Sequence, residues 1–350
     1  MNKMRGLTKN ESINSGNGKE KISFGRKLLN SLEKVWNLQE SGIIVPTIIF
    51  AIFVQFVNPV FLSAQNITNI LRQSGFILIP AIGMTLVLIA GGLDLSVGSV
   101  LGLGSFAVGF CMVKLNLPIW LSIIAAILAG IAIGLINGKI IVKFNIPPII
   151  MTLGMMYMAR GLIYVSTKGL PIYPLPKQFQ AIEQNTIFVL PTIVIICLIL
   201  CIVFHIVLTR TTFGRSVYAI GGNPEAAKLS GININNVKIK VYAISGMMAA
   251  IAGIIMASRL GSAQPNTGET YEMNVIAACI IGGTSTFGGR GTILGTTVGA
   301  LLMSMLANSM TLMKVDVYYQ KLVIGAVLVI AVIIDQYKRK LAESNAKASK

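Results

Sequence analysis

Residues 121–141 read LSIIAAILAGIAIGLINGKII, most of it within a run from 115 to 138 without a charged residue. A helix rises about 1.5 Å per residue, and the hydrocarbon layer of a bilayer is roughly 30 Å thick, so a crossing needs about 20 apolar residues. This stretch supplies them and is the clearest of ten candidate spans. Uncharged runs place the others at 43–62, 74–92, 96–113, 147–166, 187–209, 239–259, 271–284, 292–313 and 318–335, with this one at 119–141. Lys321 falls inside the last span and is expected to snorkel its ammonium to the interface.

Composition gives the same answer. The 350 residues are 54% hydrophobic and only 12% charged, with a mean hydropathy of +0.76. A soluble domain carries roughly 25% charge. Half of that cannot cover a soluble surface, so a soluble globule, a disordered chain and a disulfide scaffold are excluded. The 35 glycines fit close helix approach, since lipid supplies no hydrophobic drive between helices. The expected fold is an all-α polytopic membrane protein: a tail over 1–41, a transmembrane domain over 42–336 and a second tail over 337–350. Within the first tail, residues 24–38, where basic residues flank apolar ones, read either as a membrane-surface helix or as a plain polar tail.

Orientation follows from charge. The net charge is +17. With both termini placed in the cytoplasm, 21 of the 29 Lys and Arg fall on the cytoplasmic side and seven outside, with Arg160 within a span. Cytoplasmic loops carry such an excess. The charge therefore reports topology and attraction to anionic lipid, not nucleic acid. The four cysteines lie in apolar stretches and read as small buried residues, and the single histidine, His205, has no second ligand nearby, so no metal site is expected. No G-x-x-x-x-G-K-[ST] phosphate loop occurs; Gly138-Lys139 is followed by Ile140.

Some residues break membrane rules. Asp94 lies in GGLDLSVGS, residues 91–99, and an ionisable residue near membrane depth is a functional hypothesis by default. Gly91, Gly92 and Gly98 allow the backbone to unwind there, and Ser96 can satisfy freed amides. Asp94 either caps the helix that follows or contacts what is transported. Residues 282–291, GGTSTFGGRG, echo this segment. A shift of 191 aligns Gly91, Gly92, Gly98 and Gly104 with Gly282, Gly283, Gly289 and Gly295. Arg160 is expected to snorkel to the outer interface, or else to brace a carbonyl or acid within the bundle. Glu269 and Glu272 are expected on the outer side, as solvated rim or as a docking surface.

The longest inner loop spans 210–238. In it Asn223 is a helix N-cap, Pro224 the first helical residue, Glu225 a first-turn acid and Gly231 a stop. A helix of about two turns is marginal alone in water. It gains a purpose if Ala226 and Ala227 offer a small face to a groove on another protein.

Five stretches together resemble a known family: GRSVYAIGGNPEAAKLSGI at 214–232, GGLDLSVGS at 91–99, TLGMMYMARG at 152–161, GSAQPNTGETYEMNVIAACIIGGTSTFGGRGT at 261–292 and YYQKLVIGAVLVIAVIID at 318–335. They are similar to the membrane subunit of ribose-type bacterial sugar ABC importers, over about residues 40–336. The resemblance implies a multi-pass permease of the bacterial inner (plasma) membrane. It implies a second permease copy, a cytoplasmic ATPase subunit that holds ATP and Mg, and an extracytoplasmic sugar-binding protein, with no cofactor in this chain. It makes Arg215, Gly222, Asn223, Pro224, Glu225, Ala226, Ala227, Leu229 and Gly231 the segment that couples to the ATPase. Pro148 and Ile149 stand where relatives often have an aromatic after a polar residue, which leaves the sugar open. The competing class, a stand-alone secondary transporter or facilitator, needs a buried ion relay, for which only Asp94 and Arg160 are available.

Overall fold

The computed structural model describes residues 41–187 and 190–348; the candidate surface helix at 24–38 lies outside them. In chain order the helices are α1 (Ser41–Val57), α2 (Ala64–Ile89), α3 (Val97–Val113), α4 (Ile119–Phe144), α5 (Pro148–Thr167) and the short α6 (Lys177–Gln184). A two-residue antiparallel ladder follows, β1 (Thr186–Ile187) with β2 (Leu190–Pro191), Thr186 opposite Pro191. Then come α7 (Thr192–Arg210), α8 (Thr212–Gly222), α9 (Pro224–Leu229), α10 (Ile234–Leu260), α11 (Tyr271–Ile281), α12 (Ile293–Leu312) and α13 (Val317–Ala348). Among the described residues, seven helices are long and apolar enough to cross a membrane: α2, α4, α5, α7, α10, α12 and the 317–337 part of α13. Three further apolar helices are shorter: α1 from Gly42, α3 and α11. The chain is an integral, polytopic, helical membrane protein.

Several boundaries differ from the sequence expectation. α2 begins at Ala64 rather than 74, because Arg72 does not mark a membrane edge. Its Nε lies 3.1 Å from Glu183 Oε1 on α6. Burial pushes the Glu183 carboxyl up, and Arg72 and then Arg259 oppose that shift. The 187–209 span starts at Thr192, since the ladder occupies the residues before it. α11 ends at Ile281, three residues short of its expected end. α13 runs on to Ala348, so most of the expected 337–350 tail continues the helix.

Two ends of the bundle can be told apart. Residues 90–96, 211–233 and 282–292 gather at one end, where Gly221 and Gly289 both lie against Ile89. Lys139, Lys143, Arg210, Arg215, Lys228, Lys238, Lys240 and Arg290 surround it, and we call it the basic end. At the opposite end α6 packs on the last turn of α10, where Ser258 Oγ donates to Phe179 O at 2.7 Å.

α2 and α10 are mostly buried, and the other helices are arranged around them. Three glycines on α4 set a close approach to α10. Gly130, Gly134 and Gly138 recur every four residues, hence on one helix face. They lie against Gly246, Tyr242 and Ile239 of the antiparallel α10; a Cβ at Gly138 would come 2.8 Å from Ile239 Cα. On other faces of α10, Gly83 of α2 meets Ser245 and Gly104 of α3 meets Ala250. Asn145, left-handed at φ 51, ends α4, and Pro148 opens α5 three residues later.

This contact predicts an asymmetry between glycines. Gly134→Leu should destabilise the bundle by at least about 1–3 kcal/mol, the usual cost of overpacking. Gly154→Ala on α5, with nothing within 4 Å of the added carbon, should be neutral or stabilising. Thermal unfolding of the purified protein in detergent separates the two, and equal midpoints would contradict the close crossing.

Candidate functional site

The first glycine break follows α2. Gly91 adopts φ 75, its N–H donates to Leu88 O, and Gly92 N–H donates to Val87 O, both at 2.9 Å. This double bond with a left-handed glycine ends many helices. Residues 92–94 have no regular structure, and Leu95 and Ser96 turn into α3. Side chains from other helices bond two of the backbone groups along this stretch. Leu93 O accepts from Tyr242 Oη and from Thr152 Oγ1, each at 3.3 Å, and Leu95 N–H donates to Thr152 Oγ1 at 3.1 Å.

Asp94 is the centre of this network and is 1% exposed. Its Oδ1 accepts from Ser96 N at 3.0 Å and Ser96 Oγ at 2.5 Å, and its Oδ2 accepts from Ser245 Oγ on α10 at 2.7 Å. Asn137 of α4 donates to Ser96 Oγ at 3.0 Å. One carboxylate thus ties the α2–α3 break to α10 and, through Ser96, to α4. It accepts the amide of Ser96, the residue before α3, and so bonds the turn into the helix rather than the helix's own first amides.

A second irregular stretch, residues 261–270, precedes α11. Gly268, at φ 74, packs against Gly98 and Gly102 of α3, so the loop folds inward between helices. α11 has 11 residues, about half a bilayer crossing. Arg160 does not snorkel. Its Nη1 donates to Pro265 O at 2.9 Å and Thr267 O at 2.7 Å, and its Nη2 to Gly98 O at 3.5 Å. The loop carbonyls need donors at that depth, and a guanidinium offers five N–H groups in a fixed fork. Glu272 is also displaced from its expected place. It is buried beside Gly98 at the start of α11, not on a solvated rim, whereas Glu269 is exposed.

At the basic end α9 has the expected caps. Asn223 Oδ1 accepts from Ala226 N at 3.1 Å, and Gly231, at φ 80, donates to Lys228 O at 3.0 Å. Arg215, Gly222, Asn223, Pro224, Glu225, Ala226, Leu229 and Gly231 are exposed, and Leu229 reaches 90%. Ala227 is not available to a partner: it is buried in the chain's own core, which makes it a seat for α9 rather than a docking face. The preceding α8 was not foreseen. Thr211 caps it, accepting from Gly214 N at 3.1 Å, and Val217 and Ile220 bury one face.

The second glycine break follows α11. Gly282 is buried, and Gly283, at φ 87, donates to Ile280 O at 2.9 Å while Thr284 N donates to Cys279 O at 3.0 Å. The cap repeats that of Gly91 and Gly92, but Gly91 corresponds to Gly283, an offset of 192 residues. The glycine alignment at 191 is therefore not the structural correspondence.

Residues 66–332 match the family described as branched-chain amino acid transport system / permease component. The chain belongs to that family. The permease is also similar to the ribose import permease protein RbsC of Haemophilus influenzae, 41% identical over 304 residues that span 86% of this chain and 94% of that protein. For RbsC of Bacillus subtilis the identity is 42% over 303 residues, with 86% and 94% covered. For the xylose transport system permease protein XylH of Escherichia coli it is 34% over 369 residues, with 88% and 94% covered. No solved structure matches.

The matched residues contain both glycine breaks, Arg160 and the α8–α9 segment. Sequence reading missed Asn137, Thr152, Tyr242 and Ser245 as partners in the permease. Asn137 and Ser245 were available as lone polar residues in uncharged runs.

Arg160→Met keeps the stem and removes the donors. Residues 264–270 should then open at least about tenfold more often, since one hydrogen bond to a charged group contributes about 1.5–3 kcal/mol. A cysteine placed at Thr267, 6% exposed in the parent, should be labelled by maleimide correspondingly faster. An unchanged labelling rate would contradict the clamp.

Proposed function

We propose that this chain is the membrane-spanning permease of an ATP-driven, binding-protein-dependent importer for ribose or a related pentose in the bacterial inner membrane. The observation that carries the reading is the exposed, doubly capped α8–α9 segment at the basic end, in a chain whose relatives are named as ribose and xylose permeases. Ten crossings with both termini in the cytoplasm fit the 21-to-seven division of basic residues and put α9 beside a cytoplasmic partner. The sequence holds no phosphate loop, so ATP and Mg belong to that partner. Two copies of the permease enclose the path, and an extracytoplasmic binding protein delivers the sugar.

The mechanism is alternating access. The ATPases close on ATP and carry α9 with them, the paired bundles open toward the binding protein, and hydrolysis resets them. The energy lies in the nucleotide, and this chain supplies the element with two arrangements. Of the coupling residues, Leu229 and Glu225 meet the ATPase, while Ala227 holds α9 in place. The glycine breaks with Asp94 border the region that rearranges.

Reconstitution tests this. Proteoliposomes holding the permease and its ATPase should take up radiolabelled ribose only with internal ATP and external binding protein. Leu229→Asp, which puts a charge on the exposed apolar tip, should abolish co-purification of the ATPase and lower uptake at least about tenfold. Uptake by the permease alone, driven by an ion gradient, would overturn the assignment in favour of a stand-alone transporter.

A further inference from the structure

At the basic end, the last residues of α2, the last turn of α8 and the second break meet backbone to backbone. Ile89, the last residue of α2, presents its carbonyl to Gly289 of the second break, whose N–H donates to it at 2.9 Å. Gly221, in the last turn of α8, lies against the same carbonyl. A Cβ there would collide with Ile89 O and come 2.5 Å from Gly289 N. A Cβ on Gly288 would in turn meet Gly221 O at 2.8 Å and Gly91 Cα at 3.1 Å. One turn earlier on α8, Tyr218 Oη donates to Gly291 O at 2.7 Å.

Beyond the junction, the last turn of α2 is tied to the first turn of α12 by a buried contact, Thr85 Oγ1 to Thr296 Oγ1 at 2.6 Å. The ends of the two breaks are thereby joined as one unit. α8 touches that unit through main chain, with no flexible side chain between them to absorb a displacement. α8 leads directly, through Asn223, into the exposed α9.

We propose that Gly221 and Tyr218 are the positioning residues through which movement of the α8–α9 segment reaches both glycine breaks at once. This rests on the reading of the chain as an ATPase-driven permease. Gly221 sets the distance, since only a residue without Cβ lets α8 sit on Ile89 O. Tyr218 sets the rotation, by fixing α8 to the Gly291 carbonyl. Neither residue meets the ATPase or the sugar.

The test uses the whole complex in proteoliposomes, with Tyr218→Phe, Gly221→Ala and, as a control on the same helix, Ser216→Ala, whose hydroxyl bonds only within α8 to Thr212 O. Four quantities are read: co-purification of the ATPase, thermal stability, basal ATP hydrolysis, and its stimulation by sugar-loaded binding protein. Tyr218→Phe should keep the first three and lower the stimulation about two- to tenfold, the range of one lost hydrogen bond. Gly221→Ala should bring stimulation to the basal rate. Should Gly221→Ala fail to assemble, the pair Tyr218→Phe and Ser216→Ala decides. Wild-type stimulation in Tyr218→Phe, or an equal loss in Ser216→Ala, overturns the proposal. A wild-type complex that shows no sugar-dependent hydrolysis overturns the underlying reading, and the proposal with it.

Discussion

Backbone that leaves a helix within a packed bundle is cut off from water, so its partners must come from the protein. The rest of the architecture depends on meeting that requirement at three places. At the first break Asp94, Thr152 and Tyr242 take up the groups freed between Gly91 and Ser96. In the 261–270 loop Arg160 supplies donors to Pro265 and Thr267. At the second break the Gly289 N–H is satisfied by the carbonyl of Ile89, in the first. Two of these solutions use an ionisable side chain, Asp94 buried and Arg160 half-buried. Burying a charge costs several kcal/mol unless it is well bonded. Asp94 has three donors within 3.0 Å, and Arg160 has three carbonyls.

Glycine makes these arrangements compact. Between α4 and α10 it allows two long helices to touch main chain to main chain. At the basic end it does the same where the ends of α2 and α8 meet the second break: Gly221 and Gly289 meet Ile89, and Gly288 meets Gly221. A contact between backbones is stiff, since there are no rotamers to adjust. The bundle therefore combines closely packed helices with breaks held by a few identified bonds. Such breaks are suited to having two arrangements rather than a continuum.

Much of this was legible in the sequence, and the rest has a physical reason for being hidden. Seven of the ten expected spans match helices long and apolar enough to cross; they were legible because charge is excluded from hydrocarbon, and α9 because Asn223, Pro224 and Gly231 each have one strong local preference. Which helix faces protein was not legible. α4 and α7 are the most apolar and are largely exposed, whereas α2 and α10 are less apolar and most buried. Hydropathy measures exclusion from water, and lipid and protein interior exclude it alike. Arg160 could not be matched to carbonyls more than 100 residues further along the chain. Glu272 and Ala227 were misplaced because a loop that folds inward, and the inner face of a six-residue helix, leave no periodic trace.

The central claim is that the carboxylate of Asp94 holds the α2–α3 break in a geometry that transport requires. Asp94→Asn preserves shape but replaces one accepting oxygen with a donor, so either Ser96 or Ser245 must turn its hydroxyl from donating to accepting, and the charge that strengthens all three bonds is lost. Sugar uptake measured at matched membrane abundance tests the claim most directly. The account predicts a loss of at least about tenfold, equivalent to about 1.4 kcal/mol, with the variant inserted and folded as the parent is. Uptake at the parent rate would contradict it and reduce Asp94 to a dispensable cap.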